Sequence, residues 1–312
     1  MRLVQFLPAA GGGEPRVGIL RDAGDILDPA AAWDVSFGPF PKDVITLLLS
    51  HEAREFCETL LARPERADGV ILHANDVLLL APLLRPNSFR DFYAFEEHVR
   101  RARARRGLDV PEEWYRFPAF YFSNHSAIFG PGQGIPFPKE TQALDFELEI
   151  GCVIGRAGRD IPAEEAGSHI AGYCVLNDWS ARDIQREEMA VGLGPAKGKD
   201  FATSIGPALV TPDEIESARS GKGYGLAMEA RRNGVTLSRG SWATIHWSFE
   251  EMIARASRDA WLYPGDLLGS GTVGGGSILE LGPDESGGWL KAGDRCDLEI
   301  ERLGVLSNYL IV

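Results

Sequence analysis

Short runs of alternating apolar and polar residues open the chain. LVQFL and the two halves of RVGILRDAGDILDP, folded around a turn, read as strands, and VITLLLSHEAREFCETLLAR reads as an amphipathic helix whose apolar strip is Val44, Leu47, Leu48, Phe56, Leu60 and Leu61. That strip is assigned to the core rather than to a cofactor pocket. Residues 1–85 are therefore expected to form a small N-terminal α+β domain. From residue 86 the texture changes to strand-like segments separated by Gly, Pro, Asp and Asn, among them LDFELEIGCVIG, SHIAGYCVLNDWS, GPALVTP, YGLAMEARRNGVTLSRGS, DLLGSGTV, SILELG and CDLEIERLGVLSNYLIV. The pattern predicts a β-rich domain over 86–312, closed as a sandwich or roll, with a hairpin turn at Asn233-Gly234 and short helices at PEEW and SFEEMIARAS. The fold class is α+β, mainly β.

Composition changes this picture little. The 312 residues carry 32 Lys+Arg against 45 Asp+Glu, and the formal net charge of -13 argues against nucleic acid or an anionic membrane as partner. No apolar run reaches the roughly 20 residues of a membrane span. The N-terminal apolar patch is shorter than the roughly 7 to 15 residues of a signal peptide and fits a first strand. Cys57, Cys152, Cys174 and Cys296 form no CxxC pair and read as buried thiols of a reducing compartment. A cytoplasmic protein is expected.

Chemistry concentrates in a few blocks. In LDFELEIG, Asp145, Glu147 and Glu149 fall on one face of a strand, and Phe146, Leu148 and Ile150 on the other. Like charges at this spacing repel, no basic residue is interleaved, and a hard cation relieves the repulsion; a solvated acidic face is the plainer alternative. A second carboxylate, Asp178, ends an apolar strand in AGYCVLNDWSARDIQ, as a site residue at a sheet rim or as the cap of the following turn. His98 follows Asp91 and Tyr93 in RDFYAFEEHVRRARARR, where Arg100, Arg101, Arg103, Arg105 and Arg106 form either a solvated helix face or a lid over an anionic substrate. GSGTVGGGS lacks the ending of a phosphate loop and reads as a flexible loop before a strand, SILELG, carrying Glu280; its amides and Thr272 could bind a carboxylate.

The blocks DFELEIG, NDWSARDIQ, GKDFATSIGP and PGDLLGSGTVGGGSILEL, spread over residues 86–312, resemble those of fumarylacetoacetase and the related acylpyruvate hydrolases, isomerases and decarboxylases. The resemblance implies a fumarylacetoacetase-like mixed β-sandwich roll with a divalent metal held by Asp91, Glu147, Glu149 and Asp178. It implies that His98 and Glu280 form a dyad that activates water, that Lys199 stabilises negative charge, and that Tyr93, Tyr121, Gln185 and Thr272 contact substrate. The oxygen ligands suit Mg²⁺, Mn²⁺ or Ca²⁺, and Asp145 is expected to support its neighbours from behind. Two departures from the family pattern stand out: Gly107 replaces an arginine expected nine residues after the histidine, beside Arg105 and Arg106, and Ala202 replaces a glycine. The expected activity is hydrolysis of a carbon–carbon bond in a 1,3-diketo acid, with isomerisation, hydration or decarboxylation of a 2-oxo acid at the same site as the alternative. A small oxo acid is the expected partner, and a homodimer the expected assembly.

Overall fold

In the computed structural model, which describes residues 1–9, 13–63, 70–105 and 107–312, the N-terminal alternations form β1 (Arg2–Pro8) and β2 (Arg16–Leu20). The main sheet continues with β3 (Phe89–Phe92), β4 (Phe120–Phe122), β5 (Leu148–Ile154), β6 (Ile170–Asp178) and β7 (Thr203–Val210). A second sheet is built on β8 (Ala227–Arg232) and β9 (Val235–Ser241), while β10 (Leu267–Gly269) returns to the first; β11 (Arg295–Ile300) and β12 (Gly304–Ile311) complete the second. The main sheet runs Ile71–Leu72, Ile26–Leu27, β2, β1, β7, β6, β5, β10, β3, β4. The second runs β9, β8, β11, β12, Gly134–Pro136. The protein is α+β and mainly β, as its patterning predicts.

Period-two alternation explains why the main sheet is buried on both faces. Val4, Phe6, Ile150, Cys152, Tyr173, Val175, Ala208 and Val210 enter one core, shared with the second sheet and with helix Phe249–Ser257. Leu3, Val153, Cys174, Leu176, Ile205 and Leu209 enter the other, beneath α1 (Val44–Leu49) and α2 (His51–Ala62). β1 is hydrogen-bonded to β7 in the register Arg2↔Val210 and Leu3↔Leu209, so the sheet is continuous between the segments before and after residue 85.

Several local expectations hold. Asn233 and Gly234 both take positive φ, 52° and 81°, in the turn that joins β8 to β9. PEEW forms a helical turn at Glu112–Tyr115, and Ser248 caps the helix Phe249–Ser257 through Glu251 N. All four cysteines are buried and unpaired. Others are corrected. The expected long helix breaks at Ser50, whose extended backbone and hydroxyl, accepting from Ala53 N, end α1 and cap α2. The expected strand at SILELG is instead one helical turn, Ile278–Leu281, because the Ser277 hydroxyl accepts from Glu280 N. Arg106 lies outside the described residues.

The close approach of β6 to β7 places Asp178 opposite Thr203 at the sheet end. At Gly172 an added Cβ would lie 2.6 Å from the Val210 carbonyl oxygen, a backbone atom that cannot swing aside. Gly172→Ala is expected to destabilise the fold by about 1–3 kcal/mol in urea unfolding, the usual range for forcing a methyl into a packed interior; an unchanged midpoint contradicts the packing described.

Candidate metal centre and proton-transfer pair

The site lies where several strands end together. Asp91 is near the end of β3, opposite Gly269 of β10 on one side and Tyr121 of β4 on the other. Glu149 is in β5, and Glu147 immediately precedes it, in a break between Leu144–Asp145 and β5. The break has a cause: Glu147 N donates to the Asn177 side chain at 3.0 Å, and Leu148 bonds through both its N–H and its carbonyl to the loop at Val273–Gly276. Asp178 ends β6. Asp91, Asp145, Glu147, Glu149 and Asp178 are all at most 4% exposed, so the acidic strand face is buried rather than solvated.

Two buried cations face these carboxylates. Arg182, first residue of α4 once α3 is taken as Glu96–Ala104 and α4 as Arg182–Val191, donates from Nε to Asp145 at 2.8 Å and from NH2 to Glu147 at 2.7 Å. Lys199 Nζ donates to Glu147 and, at 2.7 Å, to Asp178. Charge relief therefore comes partly from within the chain. Arg182 is the buried partner of the cluster that sequence reasoning passed over, although it stands in the NDWSARDIQ block. The alternative of Asp178 as a helix cap is set aside: the α4 cap position is Ala181 and has no side-chain cap.

Burial opposes ionisation of Glu147, but Lys199 and Arg182 overcome it and hold that carboxyl below the usual range. Burial would likewise discharge Lys199, and Asp178 and Glu147 raise it instead. Asp91 and Glu149 are pushed well above the usual carboxylate range by burial and then by neighbouring carboxylates. Asp178 is raised by burial, with Lys199 opposing. Asp91, Glu147 and Asp178 each offer one oxygen within 4.8 Å of the other two. Asp91 Oδ1 and Asp178 Oδ1 are buried without a hydrogen-bond partner among the described residues. Orphaned acceptors in a buried all-oxygen set are what a hard divalent cation would satisfy; the residues present fit such an ion, with Glu149 beside Asp91 as the fourth carboxylate.

The expected His98–Glu280 dyad stands on two other elements. His98, in the first turn of α3 and buried, makes a 2.6 Å hydrogen bond through Nδ1 to Glu280 Oε2. Glu280, in the helical turn Ile278–Leu281, is itself fixed: Oε1 accepts from Gly275 N at 2.8 Å, Oε2 from the Ser277 hydroxyl at 3.1 Å. The glycine-rich loop thus binds carboxylates, but those of the protein: Gly271 N donates to Glu149 at 3.1 Å as Gly275 N does to Glu280.

The remaining expected residues fall around this centre. Tyr121 has its hydroxyl between Asp91 Oδ2, at 3.0 Å, and Asp178 Oδ2, and burial followed by those two charges keeps it protonated. Gln185 Oε1 accepts from Arg182 NH1 at 3.0 Å. Tyr93 packs edge-on to the His98 ring, centroids 5.2 Å apart. The Thr272 hydroxyl lies 3.4 Å from Glu149 Oε1. Of the arginine cluster, Arg101 pairs with Glu97 and Arg105 NH2 donates to the Glu280 carbonyl at 2.9 Å.

Residues 87–311 match the family model described as fumarylacetoacetate hydrolase, C-terminal. The chain is 32% identical over 315 residues to the mitochondrial oxaloacetate tautomerase fahd2 of Xenopus laevis, covering 100% of this chain and 90% of that protein. It is 33% identical over 210 residues to the 2,4-didehydro-3-deoxy-L-rhamnonate hydrolase of a Sphingomonas species, covering 67% of this chain and 68% of that one. Among solved structures, fumarylacetoacetate hydrolase from Exiguobacterium antarcticum superposes with a TM-score of 0.72 at 26% identity, over 100% of this chain and 99% of that one.

Two outcomes follow for the carboxylate cluster. Carboxyls whose folded pKa is raised stabilise the fold below their unfolded value, about pH 4, and that contribution is lost as pH rises through the raised values. A divalent ion binds the ionised forms, so the rise in melting temperature on adding Mn²⁺ to chelator-treated protein is expected to be larger at pH 8 than at pH 5; an equal rise at both contradicts the assignment. At Gly269 an added Cβ would lie 2.4 Å from Asp91 Oδ1 and 3.0 Å from Glu149 Oε2. Gly269→Ala is expected to weaken Mn²⁺ binding about 10–100-fold by titration calorimetry, the scale seen when the support of a ligand is lost; unaltered affinity counts against Asp91 as a ligand.

Proposed function

The chain belongs to the fumarylacetoacetate hydrolase family, and on that premise we propose that it is a divalent-metal-dependent enzyme of small 2-oxo acids that interconverts keto and enol forms of a dicarboxylate of the oxaloacetate kind. One observation carries the reading: the His98–Glu280 pair, at 2.6 Å, lies within electrostatic reach of Glu147 in a carboxylate cluster fit for a hard cation. The choice of tautomerisation over other enolate chemistry is supported by the named activity of the relative that spans the whole chain.

Asp91, Glu147, Glu149 and Asp178 would hold a divalent ion such as Mg²⁺, Mn²⁺ or Ca²⁺, which when bound would supply Lewis acidity toward the oxygen of an oxo or enol group. The chain supplies the proton transfer. Glu280 accepts the Nδ1 proton, leaving the lone pair of a neutral His98 on Nε2. Nε2 takes a proton from the carbon beside the oxo group and returns it at the other end of the enolate, while Glu280 stabilises the transient imidazolium. Lys199 and Arg182 keep Glu147 ionised, Lys199 also donates to Asp178, and Lys199 adds positive charge near the developing oxyanion. Gln185, its oxygen occupied by Arg182, has its amide N–H groups left for a substrate carboxylate, with Tyr93 and Thr272 as further contacts. The free buried thiols fit a reducing compartment, and both the cytoplasm and the mitochondrial matrix meet that condition.

The second reading is hydrolysis of a carbon–carbon bond in a 1,3-diketo acid. A carboxylate-oriented imidazole is also suited to deprotonating water, and the relative matched over 67% of this chain is named a hydrolase. Nε2 would then take a proton from water, hydroxide would attack the distal carbonyl, and the broken bond would leave its electrons on carbon as an enolate.

Enol oxaloacetate and acetopyruvate, each assayed with Mn²⁺ and with chelator, separate the two. Loss of the enol absorbance without release of a new acid, abolished by chelator, is expected. Release of pyruvate from acetopyruvate with no effect on oxaloacetate replaces tautomerisation by hydrolysis. In either reaction His98→Ala is expected to lose roughly 10²–10⁴-fold in turnover with Mn²⁺ affinity retained; undiminished turnover removes His98 from the mechanism.

A further inference from the structure

Asp145 precedes Glu147 by two residues and has no exposed surface. Three donors converge on it. Oδ1 accepts from Ile278 N at 2.8 Å, and Oδ2 accepts from Leu279 N at 3.0 Å and from Arg182 Nε at 2.8 Å. Ile278 and Leu279 are the two residues directly before Glu280, in the same helical turn. Arg182 continues through NH2 to Glu147 Oε1 at 2.7 Å. One side chain therefore touches both the segment that aims Glu280 at His98 and the guanidinium that aims Glu147 into the carboxylate cluster.

We propose that Asp145 is a positioning residue that ties the proton-transfer pair to the cation-binding carboxylates, so that the two parts of the site share one geometry. The inference rests on the proposed reading for what each part does, and on the hydrogen bonds alone for the tie.

The requirement at this position is an acceptor with no hydrogen of its own, which among side chains means an ionised carboxylate. Asn has the same size, but its amide cannot serve. With its oxygen in the Oδ2 position, the NH2 group confronts Ile278 N–H; with its oxygen in the Oδ1 position, the NH2 group confronts both Leu279 N–H and Arg182 Nε–H. Either orientation leaves a buried donor facing another donor, the costly case for a buried polar group. The segment carrying Glu280 and the guanidinium holding Glu147 then relax together, because their common anchor is lost. The bonds to Ile278 and Leu279 span 133 and 134 positions in sequence, so no neighbouring stretch of chain substitutes for them. A purely structural Asp145 would only lower stability, and its variants would behave as the wild type once corrected for the folded fraction.

The test uses the full chain, with Asp145→Asn, Glu280→Gln and the double variant. Titration calorimetry with Mn²⁺ reports the carboxylates, and the low-field NMR resonance of the His98 Nδ1 proton in chelator-treated protein reports the pair. Asp145→Asn is expected to lower Mn²⁺ affinity about 10–100-fold and to shift or broaden the His98 resonance, whereas Glu280→Gln moves the resonance and leaves Mn²⁺ affinity within about twofold. Turnover losses of the single variants should not multiply in the double variant, as for residues acting through one another. A folded Asp145→Asn protein in which either readout stays at its wild-type value overturns the tie, as does a double variant showing the product of the single losses. If Asp145→Asn does not fold, Asp145→Glu keeps the acceptor chemistry while displacing it by one methylene, and both readouts must then move together; movement of one without the other overturns the proposal. Calorimetry and NMR need no substrate, so inactivity toward every 2-oxo acid would defeat the proposed reaction and leave the tie to be judged by these two readouts.

Discussion

Five carboxylates, Asp91, Asp145, Glu147, Glu149 and Asp178, are buried in one region, and the buried cations Arg182 and Lys199 face them. If all five were ionised, three negative charges would have no buried partner. At an effective dielectric constant near 20, two like charges 4 Å apart cost about 4 kcal/mol, and a folded domain has only about 5–15 kcal/mol in total to hold it together. The region therefore needs additional positive charge, as protons or as a cation. Protonation of Asp91 or Glu149, both pushed well above the usual carboxylate range by burial and by neighbouring carboxylates, is one solution, and a divalent ion is the one that also leaves the carboxylates ionised.

That demand explains the surrounding architecture. The carboxylates come from strand ends, where the chain can approach them with backbone N–H groups instead of continuing a ladder. The glycine loop after β10 supplies such groups to Glu149 and, further along, to Glu280. Gly269 is small because Asp91 and Glu149 occupy the space a side chain would need. Gly271, at φ +75°, has no room for a Cβ against the Phe92 carbonyl, 2.5 Å away. The imidazole arrives from α3, a separate element, so it and the carboxylate cluster meet without being neighbours in sequence.

How much of this was legible in the sequence depends on which forces act locally. Strand alternation, the Asn233-Gly234 turn and the carboxylates themselves were visible because side-chain period and turn chemistry are local. Burial of the acidic strand was not visible, since its neutralising partners, Arg182 and Lys199, lie 35 and 52 residues from Glu147. Resemblance to a family marked His98 and Glu280; periodicity could not have paired residues 182 positions apart. The turn at Ile278–Leu281 was misread as a strand because its apolar residues are too few to show a period, although Ser277 followed three residues later by Glu280 is the signature of a helix start. Arg182 stood in a recognised block, but its role appears only when Asp145 and Glu147 are seen to point at it.

The central claim is that one divalent ion sits among Asp91, Glu147, Glu149 and Asp178 beside the His98 imidazole. Crystals grown with Mn²⁺ and measured for anomalous scattering test it most directly. The account predicts a single strong peak within coordination distance of oxygens from at least three of these carboxylates, with Lys199 Nζ outside that distance. A saturated crystal whose manganese lies elsewhere, or whose carboxylates remain protonated and paired with Lys199 alone, contradicts it.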